Sequence, residues 1–225
     1  FPYTTLFRSD DVRLILDWTE ILGGSSYSRV YVSKVFSDTS LPDGWDRIPH
    51  VICGGTGFPK SGRLPKEVEH FTPTYSLYSE WIEAQRRKRV PESALKYFTS
   101  YSIGYTTRGC IRKCSFCVNK HSSKVERHSP VKEFVNSTRP YVSLLDDNIL
   151  AFTDWRNVFE ELEQTGLPWE YKQGMDFRLM TAEKAKALAE ANYGGDYIFA
   201  FDDISDRAVI EHKLRTVWQP YIRQG

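Results

Sequence analysis

The chain of 225 residues is 40% hydrophobic and 14% aromatic, enough to bury one large core or two modest ones. Its 30 basic and 29 acidic residues leave a net charge of +1, which excludes a uniformly basic nucleic-acid-coating protein and an acidic solvating tail. No apolar run reaches the length of a membrane span, no signal peptide is visible at the start, and the four cysteines do not form a disulfide-framework pattern, so the expectation is a cytoplasmic protein in a reducing compartment.

In chain order, residues 1–9 read FPYTTLFRS, without an initial Met. They resemble the translation of a sequencing-adapter oligonucleotide, so they are expected to be an artefact outside the fold, with the true N-terminal sequence upstream. Over 10–58, RVYVSKVF and VICGGTGF read as short strands rich in Val and Ile, the second entering a glycine turn, as at the end of an α/β layer. Residues 59–98 are punctuated by proline and read as a linker with a helix at its end. From 99 to 225 the apolar stretches YSIGYTTRG, YVSLLDD, WEYKQGMDFRL and YIFAFDD alternate with helical segments. That alternation predicts a parallel sheet or barrel of four βα units.

The intervening helices carry the same signal. In TDWRNVFEELEQTG, Trp155, Val158, Phe159 and Leu162 recur at i, i+3, i+4 and i+7, with Thr153 as the expected cap and Gly166 as the stop. In TAEKAKALAEAN, Thr181 is the expected cap and Ala185, Leu188 and Ala189 the buried stripe. In barrels of this kind the chemistry gathers at the carboxyl ends of the strands. Those ends are polar here: Asp146, Asp147 and Asn148 close one strand, Gln173, Asp176 and Arg178 the next, and Asp202 and Asp203 the last. In a regular strand Asp176 and Arg178 share a face and are placed either to pair with each other or to meet a ligand. Charge is concentrated as well: residues 83–132 hold 12 Lys or Arg and 3 Glu, a local +9.

The strongest pattern follows the first of these strands. In TTRGCIRKCSFCVN, residues 106–119, Cys110, Cys114 and Cys117 form CxxxCxxC, a spacing that wraps three thiolates around one inorganic centre. This run, with Phe116 just before its third cysteine, resembles the radical S-adenosylmethionine superfamily; the likeness covers about 100–205. The resemblance implies a partial (β/α) barrel, truncated to about four units. It implies a [4Fe–4S] cluster on Cys110, Cys114 and Cys117 with one iron left open for S-adenosylmethionine. It also implies reductive cleavage of that cofactor to a 5′-deoxyadenosyl radical, which abstracts hydrogen from a substrate the sequence does not identify, and a flavodoxin- or ferredoxin-like electron donor. By the same resemblance Phe116 lies beside the adenine. Asp147 and Asn148 stand where the family holds the methionine ammonium with a Gly-Gly-Glu-like run, which this chain lacks, and Gln173, Asp176 and Arg178 face ribose, carboxylate or substrate. The upstream strands resemble the remnant of a Rossmann-like, cobalamin-binding-type domain, but its DxHxxG cobalamin motif is not visible.

Two other readings use the same residues. His121, four positions after Cys117, completes a Cys3His set with Cys110, Cys114 and Cys117, the donors of a structural zinc module with no enzymatic role. The basic segment, including QRRKR at 85–89, beside such a cysteine loop also suits a methylthiotransferase-like enzyme acting on RNA.

Overall fold

The computed structural model describes residues 12–24, 27–58 and 65–222. The adapter-like stretch 1–9, part of the linker (59–64) and the last three residues of the tail lie outside the described residues. The chain divides into two compact units, Phe1–Trp81 and Ile82–Gly225.

In the first unit, β1 (Val30–Ser33) and β2 (Val51–Gly54) pair in parallel, Val30 opposite Val51 and Ser33 opposite Gly54. These are the two Val- and Ile-rich stretches of the sequence. Gly55 turns the chain out of β2 at φ +94°, and a Cβ there would lie 2.3 Å from the Lys34 carbonyl oxygen, so only glycine fits. A short helix, α1 (Thr19–Leu22), precedes the strands and another, α2 (Lys66–Glu69), follows them.

The segment expected as one linker helix is two, α3 (Ser79–Arg87) and α4 (Glu92–Ser100). Proline explains the break: the residue before it is biased away from helical geometry and its ring suits the start of a new helix. Pro91 occupies the N-cap of α4.

The centre of the second unit is a parallel sheet of β3 (Tyr101–Gly104), β6 (Tyr141–Leu144) and β7 (Trp169–Tyr171) in that order. Two isolated parallel bridges, Trp169 with Tyr193 and Met175 with Phe199, continue the series. The stretch expected as a fourth strand, 197–203, therefore contributes only a bridge, held by Met175 N to the Ile198 carbonyl and Ala200 N to the Met175 carbonyl, both at 2.9 Å. Tyr197, Ile198 and Phe201 beside it are exposed, so little burial supports a longer ladder. The third strand is shorter than its apolar stretch, because Phe177–Leu179 turns as a 3-10 helix. Among the described residues the sheet does not close into a barrel.

The connection from β6 to β7 is helical, a usual way to join parallel neighbours, whereas the one from β3 to β6 is the long segment that carries the cysteines. Helix α5 (Trp155–Glu163) lies between β6 and β7, and α6 (Ala182–Glu190) follows β7. Trp155, Val158, Phe159 and Leu162 are all buried, as their spacing predicts. The Phe159 and Trp169 rings meet edge to face at 5.0 Å, joining helix to sheet. In α6 Ala185 and Leu188 are buried while Ala189 is half-buried, and the Thr181 hydroxyl accepts from the Lys184 amide as an N-cap. Thr153 does not cap α5; Asp154 occupies that position without a side-chain cap bond. The last segment is α7 (Arg207–Lys213), a π-helical stretch Leu214–Trp218 and α8 (Gln219–Ile222). No helix among the described residues is long and apolar enough to cross a membrane.

Candidate functional site

The cysteine loop leaves the carboxyl end of β3 and is closed at its base by a short antiparallel pair, β4 (Thr107–Arg108) with β5 (Glu126–Arg127). Between them Gly109 has φ +94°, and an added Cβ would lie 2.4 Å from the Lys124 carbonyl oxygen. A side chain there would strain the backbone and collide with the chain at Lys124, just before β5. The Gly immediately before Cys110 thus lets the loop turn tightly out of the sheet.

Polar groups from the end of β6 hold this loop. Asp146 is 2% exposed and accepts four hydrogen bonds of 2.5–3.0 Å, from the amides and hydroxyls of Thr106 and Thr107. Burial pushes its carboxyl above the ordinary aspartate range, and these four donors pull the other way. Asp147 accepts from Gly109 N and from Asn119 Nδ2, each at 2.7 Å. Asn148 donates from Nδ2 to Cys110 Sγ at 3.3 Å. Its Oδ1 is buried with no hydrogen-bond partner, an acceptor that costs stability unless something donates to it.

All four cysteines are free thiols, and the three of the loop are half-buried. Cys110 Sγ also receives the Arg112 amide at 3.3 Å, and Cys117 Sγ the Asn119 amide at 3.4 Å. The Cys117 amide turns back to the Cys114 carbonyl at 3.0 Å. Among the described residues no group of three or more His, Cys, Asp or Glu side chains stands so as to hold a metal ion. His121 is exposed, and the Cys3His set is not assembled around one point. A zinc ion asks its donors to lie about 2.3 Å from a single centre. A four-iron cluster makes another demand, because each thiolate binds a different iron and the sulfurs stand further apart. The donor set fits such a cluster in its chemistry: three thiols on one loop, with N–H groups directed at two of the sulfurs. The unpartnered Asn148 Oδ1 beside Cys110 fits an ammonium donor.

A second network joins the loop to the strand-end residues after β7. Asp176, 4% exposed, accepts from Arg112 Nε and Arg178 Nε, both at 2.6 Å. Burial pushes the Asp176 carboxyl up, but the two guanidinium groups outweigh it and hold it below the ordinary range. Arg178 reaches on to Asp206. The pairing of Asp176 with Arg178 is present, and it takes in Arg112 from the middle of the cysteine loop as a third member. Gln173 is exposed.

Phe116 is 72% exposed, and Ile111 and Val118 beside it on the loop are exposed too. The three basic residues flanking the cysteines have protein partners: Arg108 lies over the Tyr105 ring at 3.2 Å, Arg112 pairs with Asp176, and Lys113 donates to the Ser122 carbonyl. In the run 85–89, Arg86 is paired with Glu83 and Glu92. Asp202 and Asp203 are exposed, and Asp203 accepts from the Ser205 amide at 2.9 Å. Sequence reading did not find Thr106, Thr107, Asn119 or the link from Arg112 to Asp176. The paired threonines before RGC were the available signal, since two hydroxyls after a buried strand need acceptors.

No family model matches this chain, and no solved structure matches it. The chain is similar to the cytidylyl-2-hydroxyethylphosphonate methyltransferase of Streptomyces wedmorensis, with 32% identity over 111 aligned residues. The alignment takes in 42% of this chain and 21% of the relative, so the shared stretch spans about a fifth of that enzyme.

Proposed function

We propose that this chain is part of a radical S-adenosylmethionine enzyme, with Cys110, Cys114 and Cys117 holding a [4Fe–4S] cluster. The observation that carries the reading is the three-thiol loop at the carboxyl end of the first strand of a parallel βα series, tied down by the end of the next strand. On this reading the series Tyr101–Gly104, Tyr141–Leu144 and Trp169–Tyr171 is one side of a partial barrel, and ligands belong at its carboxyl edge. The strand pair in 10–58 is then a fragment of a Rossmann-like domain.

When bound, cluster and cofactor together supply one-electron reductive cleavage to a 5′-deoxyadenosyl radical that abstracts hydrogen from the substrate. The residues of this chain bind and orient. Asn148 presents its unpartnered Oδ1 to the methionine ammonium and steadies Cys110 through Nδ2. Phe116 offers an exposed ring face to the adenine. Arg112, Asp176 and Arg178 fix the loop against the end of the sheet, and Gln173, exposed at that edge, is free to meet ribose or substrate. The named activity of the relative makes methyl transfer the first reaction to test. A flavodoxin- or ferredoxin-like protein is the electron donor, in keeping with a reducing cytoplasm.

The test is anaerobic expression and reconstitution of the chain, with iron, sulfide and zinc analysis. The expected result is a brown protein with about four irons and four sulfides per chain. Cys114→Ala is expected to abolish the colour and the reductive cleavage of S-adenosylmethionine. A colourless protein carrying one zinc overturns the reading, and so does a Cys114→Ala variant that keeps both colour and cleavage.

A further inference from the structure

We infer that Asp147 is the clasp of the cysteine loop, a positioning residue that sets the separation of the two outer thiols; its consequence for a cluster rests on the reading above. One carboxylate reaches both ends of the loop, Oδ2 to the amide of Gly109 and Oδ1 to the side-chain amide of Asn119, each at 2.7 Å. Gly109 immediately precedes Cys110, and Asn119 follows Cys117 by two residues. The same Asn119 donates its backbone amide to Cys117 Sγ at 3.4 Å, so the residue whose side chain Asp147 grips contacts a thiol through its backbone. On the other side Asn148, the next residue, donates to Cys110 Sγ. From one strand end, residue 148 thus reaches Cys110 directly and residue 147 reaches Cys117 through Asn119.

Apolar packing does little of this work, since Ile111, Phe116 and Val118 face outward. Hydrogen bonds to a carboxylate are stronger than neutral ones, and removing the carboxylate leaves both ends of the loop without their acceptor. Because each Asp147 oxygen already holds a loop group, the role assigned is to shape the site through Gly109 and Asn119.

The experiment uses the full chain as apoprotein under anaerobic reducing conditions. Alkylation by iodoacetamide at each of the four cysteines is followed by peptide mass spectrometry for wild type, Asp147→Ala, Asn119→Ala and the double variant. Asp147→Ala is expected to raise the rates at Cys110 and Cys117 about tenfold, the scale of losing a charge-assisted bond. Asn119→Ala is expected to raise Cys117 alone. The double variant should add nothing to Asp147→Ala, because both changes remove the same bond. Cys53, in the other unit, is the internal reference and should not change. Unchanged rates at Cys110 and Cys117 overturn the clasp, and so does an equal rise at Cys53, which marks general loosening. If Asp147→Ala fails to fold, Asn119→Ala decides alone through Cys117. After reconstitution, Asp147→Ala should lose iron to a chelator at least tenfold faster than wild type, and loss at the wild-type rate overturns the consequence for the cluster. A chain that takes up no iron or sulfide in any variant sinks the cluster reading, while the alkylation pattern still judges the clasp.

Discussion

The cysteine loop and the βα scaffold that carries it are built by different forces. In the scaffold, Val142, Leu144, Val158, Leu162, Trp169 and Phe177 are wholly buried, and helix faces close on the sheet through aromatic edges. In the loop, apolar side chains face outward, and position comes from hydrogen bonds with three consecutive polar residues, Asp146, Asp147 and Asn148, and from the pair of Arg112 with Asp176. The difference teaches that the fold and the site can be damaged separately: packing changes should unfold the unit, and clasp changes should loosen a loop on an intact unit.

Trp169→Ala removes a wholly buried ring that stacks edge to face on Phe159, Tyr171 and Tyr193 and donates to Glu163 at 2.7 Å. It should cost about 3–5 kcal/mol in urea unfolding; a loss below about 1 kcal/mol would break the contrast from the scaffold side. Asp146→Ala strips four donors of their acceptor while relieving a buried carboxylate of its own desolvation, so the net loss should be smaller, about 2 kcal/mol. Gly109→Ala should cost about 1–3 kcal/mol through backbone strain, with its main signature in faster alkylation of Cys110 rather than a collapsed urea midpoint.

A pH prediction separates the two buried aspartates. The folded-state value of Asp176 is lowered, so its contribution is present above the ordinary aspartate range, about pH 4, and is lost as pH falls through the folded value. The stability gap between wild type and Asp176→Asn should therefore shrink as pH drops below about 4, which unfolding curves at several pH values will show. Asp146 has the opposite sign. Its folded value is raised, so its cost to the fold grows as pH rises from about 4 through that value. Smallest of all, Arg156→Ala breaks the exposed pair with Glu183 and a contact over the Trp155 ring at 4.9 Å, and should lower the urea midpoint only slightly, by less than any substitution above.

Local patterns in the sequence were legible where one element decides its own outcome. The apolar period of α5 gave its buried face, Thr181 gave a cap, and the Val- and Ile-rich runs gave β1 and β2, because these signals depend on neighbours within a turn or a pleat. The end of the βα series was not legible. YIFAFDD has the composition of a strand, yet pairing there depends on what covers its other face, and the structure supports only the bridge at Phe199. The polar strand ends were legible as a region and not as roles. The position of Asp147 at a strand end is visible in the sequence, and the two loop groups that its oxygens hold, 38 and 28 positions away, are not.

By itself the sequence determined the three-cysteine spacing, the glycine before it, the alternation of strand and helix, and the apolar faces, all of them fixed by residues close together in the chain. Tertiary structure alone decided which acid holds which part of the loop: that Asp146 binds the threonines before the cysteines, that Asp147 joins the two ends of their loop, and that Arg112 reaches Asp176 across 64 residues. The physical reason is that buried donors and acceptors must be satisfied by whatever parallel strands bring alongside, and strand order, not sequence distance, sets those neighbours.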